Sequence, residues 1–142
     1  MKAHNDALSE RECWKLLAKA SIGRLALSVR ALPVIMTVQY YLDGHRLAVC
    51  LGHQALPERA LNETIIAFAA DSIDPVTRSG WSVHVQGQSV IPRGIRIETT
   101  CDWPSSPAQV VEIEPKTIAG RRVHLCPFIE TLLVAKPPQP AG

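Results

Sequence analysis

The sequence predicts a mainly β domain, a small barrel or a sandwich, entered through one helix. Three observations carry this. From Gly23 onward the apolar residues recur every second position, the signature of half-buried strands. Turn formers such as Asp43-Gly44 punctuate them at short intervals. Only the first twenty residues show helical spacing.

The elements follow in order. Ser9-Glu10-Arg11-Glu12 reads as a capping box, a hydroxyl at the N-cap with a carboxylate three residues on. Behind it Cys13, Leu16, Leu17 and Ala20 share one helical face, predicting a helix over 10–20, with Trp14 beside them. Leu25, Leu27 and Val29 alternate with Arg24, Ala26 and Ser28 as a first strand, and residues 30–33 turn. A second strand is expected over 34–42 and a third over 46–51, joined at Asp43-Gly44. Alternation lapses over 52–62, where Pro57 suits the first turn of a short helix. Residues 64–70 read as a fourth strand, 71–80 as a loop and 81–90 as a long fifth strand. Residues 95–100 are undecided between helix and strand, and 103–107 form a proline-rich loop. A sixth strand over 109–114 is expected to close at Pro115, with 117–125 extending the sheet. The domain is expected to span 8–135, with tails at 1–7 and 136–142.

At 142 residues the chain fits one domain with one proper core. Fifteen basic residues nearly cancel thirteen acidic ones, for a net charge of +2, and no basic stripe stands out. That argues against a nucleic-acid surface but leaves room for a local phosphate site. Cys13, Cys50, Cys101 and Cys126 lack metal-ligand spacing, and residues 1–10 lack an apolar signal core. These features predict four reduced thiols in a cytoplasmic protein, and no apolar run reaches the roughly twenty residues of a membrane span. Dinucleotide-binding, Walker, zinc-protease and nucleophile-elbow motifs are all absent. No nucleophile-and-base pair can be assembled from spacing, so no catalytic residue is assigned.

Several segments in order carry a resemblance: the helix from Ser9 to Leu17 running into Ile22-Gly23-Arg24-Leu25-Ala26, a Pro33-led strand, and the Asp43-Gly44 turn. Ala67-Phe68 with Asp71, Gly80-Trp81-Ser82-Val83-His84-Val85-Gln86-Gly87, Trp103-Pro104, Val111-Glu112-Ile113 and Gly120-Arg121-Arg122 follow. Over 8–123 the chain resembles the short, single-domain, actinobacterial-type members of the pyridoxamine 5′-phosphate oxidase-like proteins. The resemblance implies a six-stranded antiparallel split β-barrel of the FMN-binding type, a homodimer, and two cofactor sites at the dimer interface. It implies FMN as the usual cofactor, with the deazaflavin F420 in some relatives, and hydride transfer to or from a small-molecule substrate. A reductase using F420, or a ligand-binding dimer without catalysis, remain alternatives.

The resemblance also implies the site. Ile35, Met36, Thr37 and Val38 would lie along the isoalloxazine ring, and Trp81 and Ser82 near the cofactor or the dimer contact. The phosphate would fall to the stretch after the third strand: Leu51, Gly52, His53 and Gln54, with Arg59 one helical turn onward. The family's lysine is missing there, Glu58 adds a negative charge, and Thr37 stands where a proline is common. His53 and Arg59 are the candidate replacements. A charge-assisted contact is worth about 1.5–3 kcal/mol, so its loss weakens a flavin by about one to two decades. Among the remaining polar residues, Arg121 and Arg122 must point to opposite faces of a strand. Alternation with Val83 and Val85 directs His84 to the barrel mouth or a subunit seam.

Overall fold

The computed structural model describes residues 6–51, 56–92 and 109–125. Six antiparallel strands close into a barrel in the order β1-β2-β3-β6-β5-β4. They are β1 (Ile22–Val29), β2 (Leu32–Asp43), β3 (Arg46–Cys50), β4 (Ile65–Ile73), β5 (Ser79–Val90) and β6 (Val110–His124). Two helices accompany them, α1 (Glu10–Leu17) and α2 (Glu58–Leu61). The undecided segment 95–100, the loop at 103–107, Cys101, Cys126 and the tail at 136–142 lie outside the described residues. Among the described residues no helix is long and apolar enough to cross a membrane.

The ladders divide the barrel into two halves. Within β1-β2-β3 the pairs number eight and five, and within β4-β5-β6 nine and twelve. The seams between the halves are short. β1 meets β4 through three pairs, Arg24↔Ala69, Leu25↔Phe68 and Ala26↔Ala67, and β3 meets β6 through four. Leu25, Val38, Leu47, Val49, Phe68, Val83, Val85, Val111 and Ile113 fill the interior. Tyr40 packs edge-on to Phe68, ring centroids 4.8 Å apart.

Helix α1 lies against the barrel with Cys13 and Leu17 fully buried. Ser9 Oγ accepts from the Glu12 backbone N–H at 3.2 Å, the expected cap. The helix stops at Leu17, short of the predicted Ala20. The N–H groups of Lys19 and Ala20 reach back three residues to Leu16 and Leu17, tightening the last turn and turning the chain into β1. The buried Tyr40 hydroxyl donates to the Leu17 carbonyl at 2.6 Å and ties helix to barrel. Burial pushes the Tyr40 phenol up to about 12. Burial, with Glu12 and Glu10 adding, also raises the Cys13 thiol, which makes it a poor nucleophile. Beyond the helix's start, residues 6–8 run along β6: Leu8 N–H donates to the Gly120 carbonyl and Arg122 N–H to that of Asp6.

Three element boundaries differ from expectation, each for a physical reason. β2 begins at Leu32, because Arg30 and Ala31 both take positive φ and close a two-residue hairpin, Val29↔Leu32. Pro33 is tolerated because β2 there has β1 as a neighbour but not β3, whose pairing begins only at Gln39. β4 and β5 invade the expected 71–80 loop from both sides, leaving a turn in which Asp74 Oδ1 accepts from Val76 N–H at 2.8 Å. Pro115 does not close β6. The register shifts at Gln86/Gly87, pairing Gln86 with Thr117 and Gly87 with Pro115, so Lys116 is an extra bulge residue. β3 has already parted from β6 at Ile113, so the proline sits on an edge.

Candidate functional site

Alternation gives each strand an inner and an outer set of side chains, and the register aligns the outer sets into rows. One row runs Ile35–Ala26–Ala67–Gln86–Thr117 across β2, β1, β4, β5 and β6. The next runs Thr37–Arg24–Ala69–His84–Ala119 across the same strands. Apart from Thr37 at the end of the second row, these residues line a groove of about 440 Å³ on the outside of the barrel. That volume falls within the range of small-molecule sites. Ala26, Ala67, Ala69 and Ala119 make its floor shallow-sided and apolar, and the fully buried core lies directly beneath. Ile22, Ile35 and Ile65, exposed at 57%, 73% and 67%, stand on the same outer face around it.

Polar groups enter from the sides. Arg24 Nη1 lies 3.3 Å from Asp71 Oδ2, an ion pair between two exposed side chains that contributes about 1 kcal/mol or less. Ser82 Oγ and His84 Nε2 are 3.0 Å apart, which fixes the imidazole against β5. Thr117 Oγ1 donates to Gln86 Oε1 at 3.2 Å, so the Gln86 amide presents its NH₂ as the donor end. A flat aromatic ring system with a polar rim meets here what it needs: a flat apolar floor, hydrogen-bonding groups at the edge, and one guanidinium.

The model of the Pyridoxamine 5′-phosphate oxidase family matches residues 9–122, which hold five of the six strands in full and most of the sixth. The chain belongs to this family. Its relatives include an uncharacterized protein of Mycobacterium tuberculosis, 31% identical over a 130-residue alignment that covers 82% of this chain and 84% of the relative. Among solved structures, the FAD binding protein from Mycobacterium smegmatis superposes with a TM-score of 0.64 at 26% identity, covering 83% of this chain and 97% of that one. A FAD-binding protein from Mesorhizobium loti reaches 0.68 at 20% identity, covering 84% and 96%, and supports the fold alone. The split-barrel fold expected of the family is the fold observed.

The residues expected to form this oxidase-family site are distributed as follows. Ile35 and Thr37 are exposed, one in each groove row. Met36 and Val38 point into the core, 6% and 3% exposed, so they can offer a ligand on the outer face only their backbone. Ser82 is half-buried on the outer face beside His84, whereas Trp81 packs against the core cluster from the inner side. Leu51 is buried, with its N–H donating to the Gln109 carbonyl. Arg59 is exposed on α2, next to the equally exposed Glu58. Gly52, His53 and Gln54 lie outside the described residues. Of the two arginines at the end of β6, Arg121 opposes Ser82 and Arg122 opposes Trp81, on opposite faces as expected.

Ala26, Ala67, Ala69, Gln86, Thr117 and Ala119 escape a reading of the sequence, because their meeting depends on which strands become neighbours. The available signal is their parity: each falls on the polar beat of its strand. A second depression, about 720 Å³, lies between α1 and the β2–β3 turn. There the Trp14 indole stacks on His45, centroids 4.9 Å apart at 7°, and buries its Nε1–H without a partner among the described residues. Glu10, Arg11 and Lys15, of opposing sign, border it together with Ala18 and Leu42.

Proposed function

We propose that the outer groove seats the isoalloxazine ring of a flavin nucleotide and that the chain is a flavin-dependent oxidoreductase acting on a small-molecule substrate. The observation that carries this reading is the double row: an alanine floor under a rim of Thr117, Gln86, His84 and Arg24. Alanine is a poor strand former, so four of them on one exposed face are better explained by the space they leave than by the sheet they build. The 26% identity with the Mycobacterium smegmatis FAD binding protein, over nearly all of that chain, supports the same ligand class.

Ala26, Ala67, Ala69 and Ile35 would hold the ring, and Gln86 and His84 would bond its polar edge. Arg24 would be the groove's cation toward the phosphate. Bound flavin would supply hydride and electron transfer, which no side chain of the groove can perform. The protein would contribute position, exclusion of water and electrostatics. A second copy of the chain covering Ile22, Ile35 and Ile65 would close the groove, which makes a homodimer part of the proposal.

The visible absorption spectrum of purified protein, followed by separate titrations with FMN, FAD and F420, tests the reading. Flavin absorbance or saturable micromolar binding of FMN or FAD, with a dimer in sedimentation, is the expected result. Binding of F420 alone would transfer the reading to the deazaflavin. A folded protein that binds none of the three more tightly than about millimolar, roughly 4 kcal/mol, would end it.

A further inference from the structure

We infer that His84 sets the redox preference of the ring bound in the groove, favouring reduced flavin over oxidised flavin by taking up a proton as the ring becomes an anion. This rests on the flavin reading above and adds a residue and a regulation to it.

The argument begins with position. His84 stands in the middle of an outer row, exposed, with Ala69 opposite it on β4 and Ala119 opposite it on β6. The residue directly opposite the imidazole on each flanking strand is thus an alanine. Ser82 Oγ lies 3.0 Å from Nε2 and holds the ring in one orientation, with Nδ1 the nitrogen that this contact does not engage.

The surrounding charges decide what His84 can do. On β1, Arg24 is engaged with Asp71 of β4 at 3.3 Å, and the two largely cancel. On β6, Arg121 lies opposite Ser82, in the next row outward. Among the described residues lining the groove, Arg24 and His84 are the titratable ones, and of these an imidazole is the type whose charge changes between pH 5 and 8.

Reduction creates the demand that His84 meets. A flavin reduced by a hydride equivalent from a reductant would bear one negative charge, which His84 would balance. A proton from solvent converts the neutral imidazole to imidazolium, and the net charge of the groove is unchanged. The oxidised ring carries no charge and gains nothing comparable.

The test compares wild type with His84→Gln and Ser82→Ala, titrated with FMN and FAD in oxidised form and, under dithionite, in reduced form. The readout is the ratio of the two dissociation constants at pH 6 and pH 9. At pH 6 His84→Gln is expected to lower the preference for reduced flavin at least tenfold, equivalent to about 30 mV in the two-electron potential. Ser82→Ala should move the ratio the same way by less, and the difference between wild type and His84→Gln should shrink at pH 9. Equal weakening of both redox forms would mean that His84 only shapes the groove, and would overturn the inference while leaving the flavin reading intact. An unchanged ratio would overturn it as well. Wild-type protein that binds no flavin in either form removes the proposed function itself, a result separable from the other two.

Discussion

Leu25 and Ala26 are neighbours in the chain and stand on opposite faces of β1, and the rows they belong to are built from opposite sizes. Inward, Leu25 meets Met36 and Phe68, Phe68 meets Val85, and Val85 meets Ile118. Outward, one residue along each strand, Ala26 meets Ile35 and Ala67, and Ala67 meets Gln86. The inner row is large because a closed barrel must be filled to crystal-like density. The outer row is under no such demand, and strand propensity alone would favour β-branched residues there. The difference separates what these strands need in order to fold from what they keep free for a ligand.

The largest effect should come from the inner row. Phe68 is 1% exposed and braces Tyr40, so Phe68→Ala should cost about 3–5 kcal/mol in urea denaturation. Ala67→Leu, one residue away on the outer row, should leave the denaturation midpoint within about 0.5 kcal/mol of wild type. It should nonetheless weaken FMN or FAD at least tenfold by filling the floor. Equal losses of stability in the two variants would erase the distinction between the faces. The smallest effect expected concerns Tyr40. Its hydroxyl serves the Leu17 carbonyl, and Tyr40→Phe should cost about 1 kcal/mol at pH 7. Because the folded phenol is raised to about 12, its contribution is complete below pH 10, the ordinary value, and is lost as pH climbs from 10 toward 12. Denaturation at pH 7 and pH 11 should therefore show wild type losing more than Tyr40→Phe.

Much of the fold can be read from local chemistry. The cap at Ser9 and the turn at Gly44, with φ of +59°, were readable because each is settled by a few adjacent residues. Arg30-Ala31 carries no glycine to announce its positive φ, so the start of β2 was not. Pro115 reads as a terminator, and only the partner strand's register reveals that a bulge absorbs it. For the site, parity directs Ile35, Thr37, Ser82 and His84 outward, and it equally assigns Met36 and Val38 to the interior. That the alanines of β1 and β4 adjoin one another follows from a seam between strands distant in sequence, which no local pattern encodes.

That seam has a further consequence. Three pairs join β1 to β4 and four join β3 to β6, against eight and five, and nine and twelve, within the two halves. Each half can assemble from hairpins at low entropic cost, while the seams close long loops for few hydrogen bonds. The β1–β4 seam has the fewest paired residues of the six, and a partial opening there would part the two halves along one edge. The groove lies across that line, with Ala26 on one bank and Ala67 on the other. A molecule seated in it is a clasp between the halves, and its binding energy is returned as resistance to opening, growing with the logarithm of its concentration.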